Sequence, residues 1–182
     1  MESTQAEDKL FTFLEALGIK TETHRHPPVF TVDEAQAIRT SMGKAMTGGH
    51  AKSLFLRDKK KRRALVVIDE NRRLDLRSLA GKVGLSRVSF GSKNSLLEML
   101  GVTPGSVTPF ALVNALSQKG AEPTLIIALD KALLAQTPLW FHPLHNGATT
   151  AIKPNDLILF IKACGYTPLL IDLDPPNMPE NP

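Results

Sequence analysis

One stretch decides the fold: Gly48-Gly49-His50-Ala51-Lys52-Ser53-Leu54-Phe55-Leu56-Arg57-Asp58. In it, a glycine pair and a single lysine directly precede an apolar run. Leu54, Phe55 and Leu56 predict a strand. Glycines would let the backbone in front of this strand approach a ligand closely. Lys52 then has two interpretations: a solvated lysine at the entrance of a strand, or a cation that the strand presents to a ligand.

A second β-prone run follows at Ala64–Ile68, after the polar link Arg57-Asp58-Lys59-Lys60-Lys61-Arg62-Arg63. Two such runs across a short link predict a β-hairpin. The link carries six cations in seven positions. It is therefore either a turn kept solvated by its charge or a surface that contacts phosphates. The candidate phosphate-contacting residues are Lys59, Lys60, Lys61, Arg62 and Arg63.

Apolar spacing and capping residues predict the helices around this hairpin. Near the N-terminus, an apolar helical face precedes Gly18, which is placed as a C-terminal cap. Thr31-Val32-Asp33-Glu34 is a capping box, so a helix should run from there to about Ile38. The apolar faces are Leu10, Phe13, Leu14 and Leu17; Leu76, Leu79, Ala80 and Val83 after the cap Asp75; Leu96, Met99 and Leu100 before Gly101; and Leu157, Phe160, Ile161 and Cys164 after Pro154.

Further strands are predicted at Ile19–Arg25, Val88–Phe90, Thr124–Leu129 and Thr167–Leu173. The run Thr124–Leu129 is apolar almost throughout, which implies burial on both faces and hence a sheet covered by helices. This favours an α/β or α+β architecture, and of the two we expect α/β. We expect one domain over residues 1–173 and a proline-rich, mobile tail over residues 174–182.

Composition narrows the classes of function. With 182 residues and 42% hydrophobic residues the chain can bury a substantial core, and its net charge of +4 suits a polyanionic partner without requiring one. Cys164 is the single cysteine, so an intramolecular disulfide or a cysteine-based zinc cluster is excluded. The N-terminus lacks the features of a signal peptide, and the chain has no apolar run long enough to span a bilayer. We expect a soluble cytoplasmic protein.

Two loops carry candidate binding residues. The segment Gly101–Phe110 contains two glycines and two prolines, so it is either a structural turn or a shaped loop whose backbone N–H groups face a ligand oxygen. The segment Trp140–Thr150 places His142, His145 and Asn146 beside a turn. No acidic or cysteine partner lies at ligand spacing from these histidines, so no metal site is predicted.

Together these stretches resemble one family, the free-standing relatives of the prolyl-tRNA synthetase editing domain, or YbaK/ProX-type aminoacyl-tRNA deacylases. The matching pieces follow one another in family order across nearly the whole chain. They are His26-Pro27-Pro28-Val29-Phe30-Thr31-Val32-Asp33-Glu34-Ala35, Lys52–Leu56, Gly105–Pro109 within Gly101–Asn114, and Phe141-His142-Pro143-Leu144 with Asn146 and Thr149-Thr150. The His-Pro-Leu-x-Asn element resembles the branch that acts on alanyl-tRNA(Pro) more than the branch that clears cysteine.

The resemblance implies a mixed β-sheet flanked by helices, no metal or other cofactor, and hydrolysis of the ester between a wrong amino acid and the terminal adenosine of tRNA(Pro). Prolyl-tRNA synthetase is an implied partner, and a membrane is not. Lys52 matches the family's functional lysine. The loop formed by Gly105, Ser106, Val107, Thr108 and Pro109 matches its substrate-binding loop, and His142 and Asn146 match positions beside the pocket. Lys153 stands where relatives often have a serine, which predicts a weaker cap on the last helix.

The residues agree with this chemistry. An aminoacyl ester is already activated, so orienting water and stabilising an oxyanion can suffice without a covalent nucleophile. The chain has no G-x-S-x-G elbow, and Cys164 lies on a predicted core face. Three alternatives stay open: a non-catalytic tRNA- or RNA-binding module, a deacylase for cysteinyl- or another mischarged tRNA, and a hydrolase of small non-tRNA esters.

Overall fold

The fold is built on a mixed β-sheet. The computed structural model describes residues 2–29, 31–115 and 125–173. Within these ranges the strands are β1 (Glu22–Arg25), β2 (Gly49–Asp58), β3 (Arg63–Asp69), β4 (Val88–Phe90), β5 (Leu125–Asp130), β6 (Leu139–Phe141), β7 (Ala148–Ile152) and β8 (Leu169–Ile171). The α-helices are α1 (Glu2–Ala16), α2 (Val32–Met42), α3 (Leu76–Lys82), α4 (Lys93–Leu100), α5 (Leu112–Ala115), α6 (Lys131–Leu134) and α7 (Pro154–Ala163), with 3₁₀ turns at Gly43–Met46 and Pro109–Ala111.

The described strands form one sheet in the order β1-β7-β6-β2-β3-β5-β8, and β4 pairs with the far end of β2. The hairpin β2–β3 is antiparallel with Lys52 opposite Ile68, as the two apolar runs predict. Parallel pairings join β2 to β6, β3 to β5 and β5 to β8. The α/β prediction with a mixed sheet is thereby confirmed.

Alternation along the central strands divides the core between the two faces of the sheet. Phe55, Leu65 and Val67 pack in the larger cluster with residues of α1, α4, α5 and α7. Leu56 and Val66 point the other way into a smaller cluster with α3 and β8. The sheet is thus covered on both faces, which agrees with the nearly continuous apolar run of β5.

Local capping signals predicted the start of α2 and the end of α4 correctly. Thr31 accepts a hydrogen bond from the backbone of Glu34 while the Glu34 side chain accepts from the backbone of Thr31, so the capping box is confirmed. Gly101 adopts φ 64° at the end of α4. Lys153 precedes α7 without a side-chain capping bond, as expected. The predicted end of α2 near Ile38 was four residues short of the observed end.

Strand limits were predicted less accurately. The strand predicted at Ile19–Arg25 is observed only as the shorter β1, and the one predicted at Thr167–Leu173 only as the shorter β8. The predicted strand Thr124–Leu129 corresponds to β5, with Thr124 outside the described residues. The tail 174–182 also lies outside them. Strand β6 and the short helices α5 and α6 were not predicted, because each has too few residues for a clear period.

The glycine pair serves packing within the protein. Gly48 has φ +118°, and a Cβ atom there would lie 2.2 Å from the carbonyl oxygen of Pro138. A Cβ on Gly49 would lie 2.8 Å from the Leu139 side chain. The expectation that this pair lets the backbone approach a ligand was therefore wrong. The glycines let β2 begin beside β6, and Lys52 lies inside β2 instead of at its entrance.

None of the helices in the described part of the chain has the length and apolar character that a membrane span requires. Cys164 is buried, with 2% exposure, in the larger core cluster, as its helical position predicts.

Candidate functional site

A cleft opens where α2, the first half of β2, the end of β6 and the loop before α5 meet. Its inner part has an empty volume of about 540 Å³, open solvent included. An outer part continues from it toward Lys52 and Gly105. The residues common to both parts are Val29, Ala35, Ala51, Ser53, Glu70, Val107 and His142.

Lys52 lies at the outer part of the cleft with its ammonium group held in place. Its Nζ donates to the backbone oxygen of Glu70 at 2.9 Å and to that of Arg72 at 2.6 Å. An ammonium group has three donors, so one N–H remains beyond these two bonds. Lys52 is partly buried and oriented, which excludes the interpretation of a freely solvated surface lysine.

The loop that holds Lys52 is itself braced by long-range contacts. Arg72 Nε lies 2.9 Å from Oδ2 of Asp130, whose side chain is almost fully buried. Asp69 accepts at 2.9 Å both from the Gln136 side chain and from the backbone N–H of Asn71. Burial alone would raise the pKa of Asp69, but these hydrogen bonds outweigh it and lower the pKa below the ordinary value. The two carbonyl oxygens that face Lys52 are consequently fixed.

Glu70 also carries a carboxylate into the cleft, where it forms a close ion pair with Arg39 of α2. Both side chains are largely buried, at 16% exposure for Arg39 and 9% for Glu70. Burial raises the pKa of Glu70, opposed by the neighbouring guanidinium. This pair connects α2 to the end of β3 across the cleft.

His142 faces the cleft in one defined tautomer when neutral. Its Nδ1 donates to the backbone oxygen of Ala148 at 2.9 Å, which leaves Nε2 as an acceptor. Burial lowers the pKa of His142. His26 lies beside it, with 6.2 Å between ring centroids, and its Nε2 contacts Thr149 Oγ1 at 2.8 Å.

The inner end of the cleft is aromatic. His50 stacks on Trp140 with 6.2 Å between ring centroids and an angle of 6° between the rings. Each ring is anchored by a backbone oxygen, that of Met46 for His50 and that of Thr47 for Trp140. Burial lowers the pKa of His50.

The predicted binding loop is partly cleft wall and partly support. Gly105 and Val107 line the cleft, and Gly105 has φ +91°. Ser106, Thr108 and Pro109 are buried. Thr108 caps the following 3₁₀ turn, and Pro109 begins that turn.

Asn146 contributes to the cleft indirectly, by binding the backbone of Val29. Its Nδ2 donates to the backbone oxygen of Val29 at 3.0 Å, and its own backbone oxygen accepts from Val29 N–H at 3.2 Å. Asn146 thus holds a cleft-lining residue and is not itself among the residues that line the cleft.

The basic tip of the β2–β3 hairpin lies far from this cleft. From Lys52 to Asp58 the strand extends about 20 Å at its usual rise per residue. Arg62 pairs with Asp58 at 2.7 Å, and Arg63 Nε donates to Ser95 at 2.9 Å. Both are thereby engaged within the protein, whereas Lys59, Lys60 and Lys61 are exposed.

Sequence reasoning missed the cleft residues that only tertiary contacts reveal. Arg39 and Glu70 are 31 positions apart, and no local pattern links them. His50 and Trp140 meet because β2 and β6 pair in parallel. Within residues 2–29, 31–115 and 125–173, no three His, Cys, Asp or Glu side chains are grouped so that they could hold a metal ion.

Comparisons with known proteins agree with the fold. The model of the aminoacyl-tRNA editing domain matches residues 26–160. The chain is 33% identical to prolyl-tRNA synthetase associated domain-containing protein 1 of Mus musculus over 88% of this chain and 92% of the relative. It is also 33% identical to the prolyl-tRNA editing protein ProX of Acetoanaerobium sticklandii, over 92% of this chain and 98% of the relative.

A solved structure of a proposed trans-editing enzyme for prolyl tRNA synthetase superposes with a TM-score of 0.66 at 23% identity, covering 93% of this chain and 97% of that chain. At this identity the structural likeness supports the fold. The family match and the relatives above 30% identity support membership, and the match spans Lys52, Gly105 and His142. The chain belongs to the aminoacyl-tRNA editing domain family.

Proposed function

We propose that this protein is a trans-editing deacylase that hydrolyses the ester of mischarged tRNA(Pro), with alanyl-tRNA(Pro) as its preferred substrate. One observation carries the proposal: the ammonium group of Lys52 is oriented at the cleft by two backbone oxygens and keeps one donor beyond them. The relative named as a prolyl-tRNA editing protein supports the choice of tRNA. The partners in this proposal are the charged tRNA and, as the source of the error, prolyl-tRNA synthetase.

In the proposed reaction Lys52 binds the substrate carbonyl or the terminal phosphate as a fixed cation. Backbone N–H groups of the Gly105–Pro109 loop, from its cleft-lining residues Gly105 and Val107, polarise the ester oxygen, and water attacks the activated ester. The 2′-hydroxyl of the terminal adenosine assists proton movement. Donors placed in advance toward a developing oxyanion stabilise the transition state without a covalent intermediate.

Preference for alanine follows from the limit of size discrimination. A synthetase pocket made for proline cannot strongly exclude a smaller amino acid, so a second and tighter site must remove it. We propose that apolar side chains such as Val29, Ala35 and Val107 restrict the amino-acid position in this cleft. Alanine then enters, and proline does not.

Replacing Lys52 by alanine tests the proposed catalytic role. Removing one oxyanion donor elsewhere costs about 2–4 kcal/mol of transition-state stabilisation, so kcat/KM for alanyl-tRNA(Pro) should fall about 30- to 900-fold. Lys20→Ala, which removes an exposed lysine, is the control and should retain normal kinetics. Full deacylation by a folded Lys52→Ala protein would remove Lys52 from the mechanism.

One assay separates this proposal from the other classes. Initial rates are measured with alanyl-, cysteinyl-, seryl- and prolyl-tRNA(Pro), and with the corresponding aminoacyl-adenosine. The proposal expects alanyl-tRNA to be cleaved fastest and prolyl-tRNA to remain intact. Tight binding without turnover would identify a tRNA-binding module. Equal rates for tRNA and aminoacyl-adenosine would identify a small-ester hydrolase.

A further inference from the structure

Strand β2 has a gap along one of its edges, and the gap opens into the cleft. On this edge β6 pairs with Gly49 and His50, and β4 pairs with Leu56–Asp58. Between them, Ala51–Phe55 has no neighbouring strand on that side in the described part of the chain.

Alternation along β2 shows which backbone groups face the gap. In an antiparallel strand, successive residues direct their N–H and C=O groups to opposite edges. The C=O of His50 accepts from the loop after β3, whereas the C=O of Phe55 accepts from Gly91 on the β4 side, at 2.8 Å. Ala51 and Ser53 have the same parity as Phe55. Their backbone groups therefore point into the gap.

Among the described residues, three backbone groups of these two cleft-lining residues lack a hydrogen-bond partner. In that part of the chain, no hydrogen bond engages the C=O of Ala51 or the N–H and C=O of Ser53. The N–H of Phe55 faces the same edge and also has no partner among the described residues, but Phe55 does not line the cleft. Both Ala51 and Ser53 are partly buried and line both parts of the cleft. Backbone groups at an exposed edge pair with water, but in a partly enclosed cleft of mixed polar and apolar lining they favour a ligand that satisfies them.

The order of these groups along the edge selects the chemistry of the ligand. They present acceptor, donor and acceptor in sequence, from Ala51 C=O through Ser53 N–H to Ser53 C=O. A phosphate or an oxyanion would be repelled by the two carbonyl oxygens. An ammonium group offers donors only and would leave Ser53 N–H unpaired. The complementary ligand is flat and presents donor, acceptor and donor.

The Watson–Crick edge of adenine has this order, with the N6 amino group, the N1 acceptor and the weakly donating C2–H. Uracil presents acceptor, donor and acceptor, so each of its groups would meet a like group of Ala51 or Ser53. Guanine would set its O6 against a carbonyl oxygen, and cytosine would do so with its O2. Reading a base by hydrogen bonds to its Watson–Crick edge is common where a nucleotide enters an enzyme pocket.

We propose that the open edge Ala51–Ser53 is the binding site for the adenine base of the terminal adenosine, with N6 donating to Ala51 C=O and Ser53 N–H donating to N1. This assignment rests on the proposed function for the identity of the RNA. It places base recognition on backbone groups of β2 on either side of Lys52, and these three residues line the same outer part of the cleft.

Uncharged RNA tests the site without relying on hydrolysis. Acceptor-stem minihelices ending in adenosine, purine riboside or inosine are titrated while the fluorescence of Trp140, the single tryptophan of the chain, is recorded. Purine riboside lacks the N6 donor, and inosine reverses the donor and acceptor. Each should bind about tenfold more weakly than adenosine, as expected for a buried backbone group left unpaired. Equal affinity for the three RNAs, or no response of Trp140 to any of them, would overturn the assignment.

A proline variant tests the backbone donor directly. Ser53→Pro removes the N–H at an edge position, where proline is tolerated in a sheet. It should abolish the preference for adenosine over inosine. Phe90→Pro is the matched control, because Gly91 N–H points to β2 and the preceding N–H therefore points outward at an exposed residue. Retained preference in a folded Ser53→Pro protein would contradict the proposal. If circular dichroism shows that this variant is unfolded, the series of terminal nucleosides decides alone.

The two proposals can fail separately. A protein that prefers adenosine-ended RNA but hydrolyses no aminoacyl-tRNA would refute the proposed function and retain the adenine site. A protein that hydrolyses aminoacyl-tRNA but binds all three terminal nucleosides with equal affinity would refute the adenine site and retain the proposed function.

Discussion

Lys52 shows how a single residue depends on a network that reaches distant parts of the chain. Its ammonium group binds two carbonyl oxygens of the loop after β3, and that loop is held by Asp130 through Arg72. A lysine has many rotamers, so its orientation at a cleft must be maintained by such contacts. The supporting residues should therefore matter for stability.

Asp130→Ala tests the buried end of this network. Asp130 is 0% exposed, pairs with Arg72 and accepts from Ala132 N–H at the start of α6. Removing one partner of a buried pair costs about 3–5 kcal/mol, so the free energy of unfolding measured with urea should fall by about that amount. Asp8→Ala, at an exposed position of α1, should change it by less than about 0.5 kcal/mol. A small effect at Asp130 would show that the pair contributes little.

His142 gives a pH dependence of defined sign. Burial lowers its pKa below the ordinary 6.5, so the unfolded chain binds this proton more readily than the folded one. Stability should therefore decrease as pH falls below about 6.5 and stop decreasing below the folded pKa. His142→Gln should flatten the decrease in melting temperature between pH 7 and 5, measured against the parent protein. The raised pKa of Glu70 has the opposite effect, because it increases stability as pH falls. Both proteins contain Glu70, so the difference in melting temperature between the parent and His142→Gln isolates the effect of His142. If the melting temperatures of the two proteins fell equally between pH 7 and 5, His142 would not contribute to the pH dependence of stability.

At the scale of elements, β2 combines roles that its short apolar run does not reveal. Its first residues pair with β6, its middle faces the cleft and its end pairs with β4. The apolar residues Leu54, Phe55 and Leu56 predicted only the central part of this strand. Pairing partners on both sides extend the strand to ten residues.

The hairpin tip is the element whose charge can be tested separately. Reversing Lys59, Lys60 and Lys61 to glutamate should weaken tRNA binding and reduce its salt dependence, by about 0.7–0.9 in log–log slope for each phosphate that the tip no longer neutralises. Arg62 and Arg63 are left intact because they bind Asp58 and Ser95. Reversing the exposed Lys20, Lys153 and Lys162 in the same way controls for net charge. An equal decrease in affinity for both triple variants would mean that the tip is only a solvated turn.

At the scale of the whole molecule, the described residues supply one sheet with helices on both faces. The predicted division into a domain of residues 1–173 and a tail of residues 174–182 leads to a truncation test. A protein ending at Leu173 should keep the melting temperature and the deacylation rate of the full chain, because a proline-rich segment buries little apolar surface. A clear fall in melting temperature would place part of the tail in the folded domain.

Local features of the fold could be predicted because their causes lie within a few residues. The capping box at Thr31, the C-terminal cap at Gly101 and the apolar face of α7 each depend on neighbours one or two helical turns away. The β2–β3 hairpin likewise follows from two runs across a short link. Of the cleft, the sequence and its resemblance indicated Lys52, the Gly105 loop and His142.

The sequence by itself determined the helix and hairpin signals, the single buried cysteine, the basic tip and the family. Only the tertiary structure decided that Arg39 meets Glu70, that Arg72 meets Asp130 and that Ala51 and Ser53 face a gap between β6 and β4. The physical reason is that caps and amphipathic faces are satisfied by near neighbours. Buried ion pairs and strand edges depend on which distant segments fold together, and local sequence patterns do not carry that information.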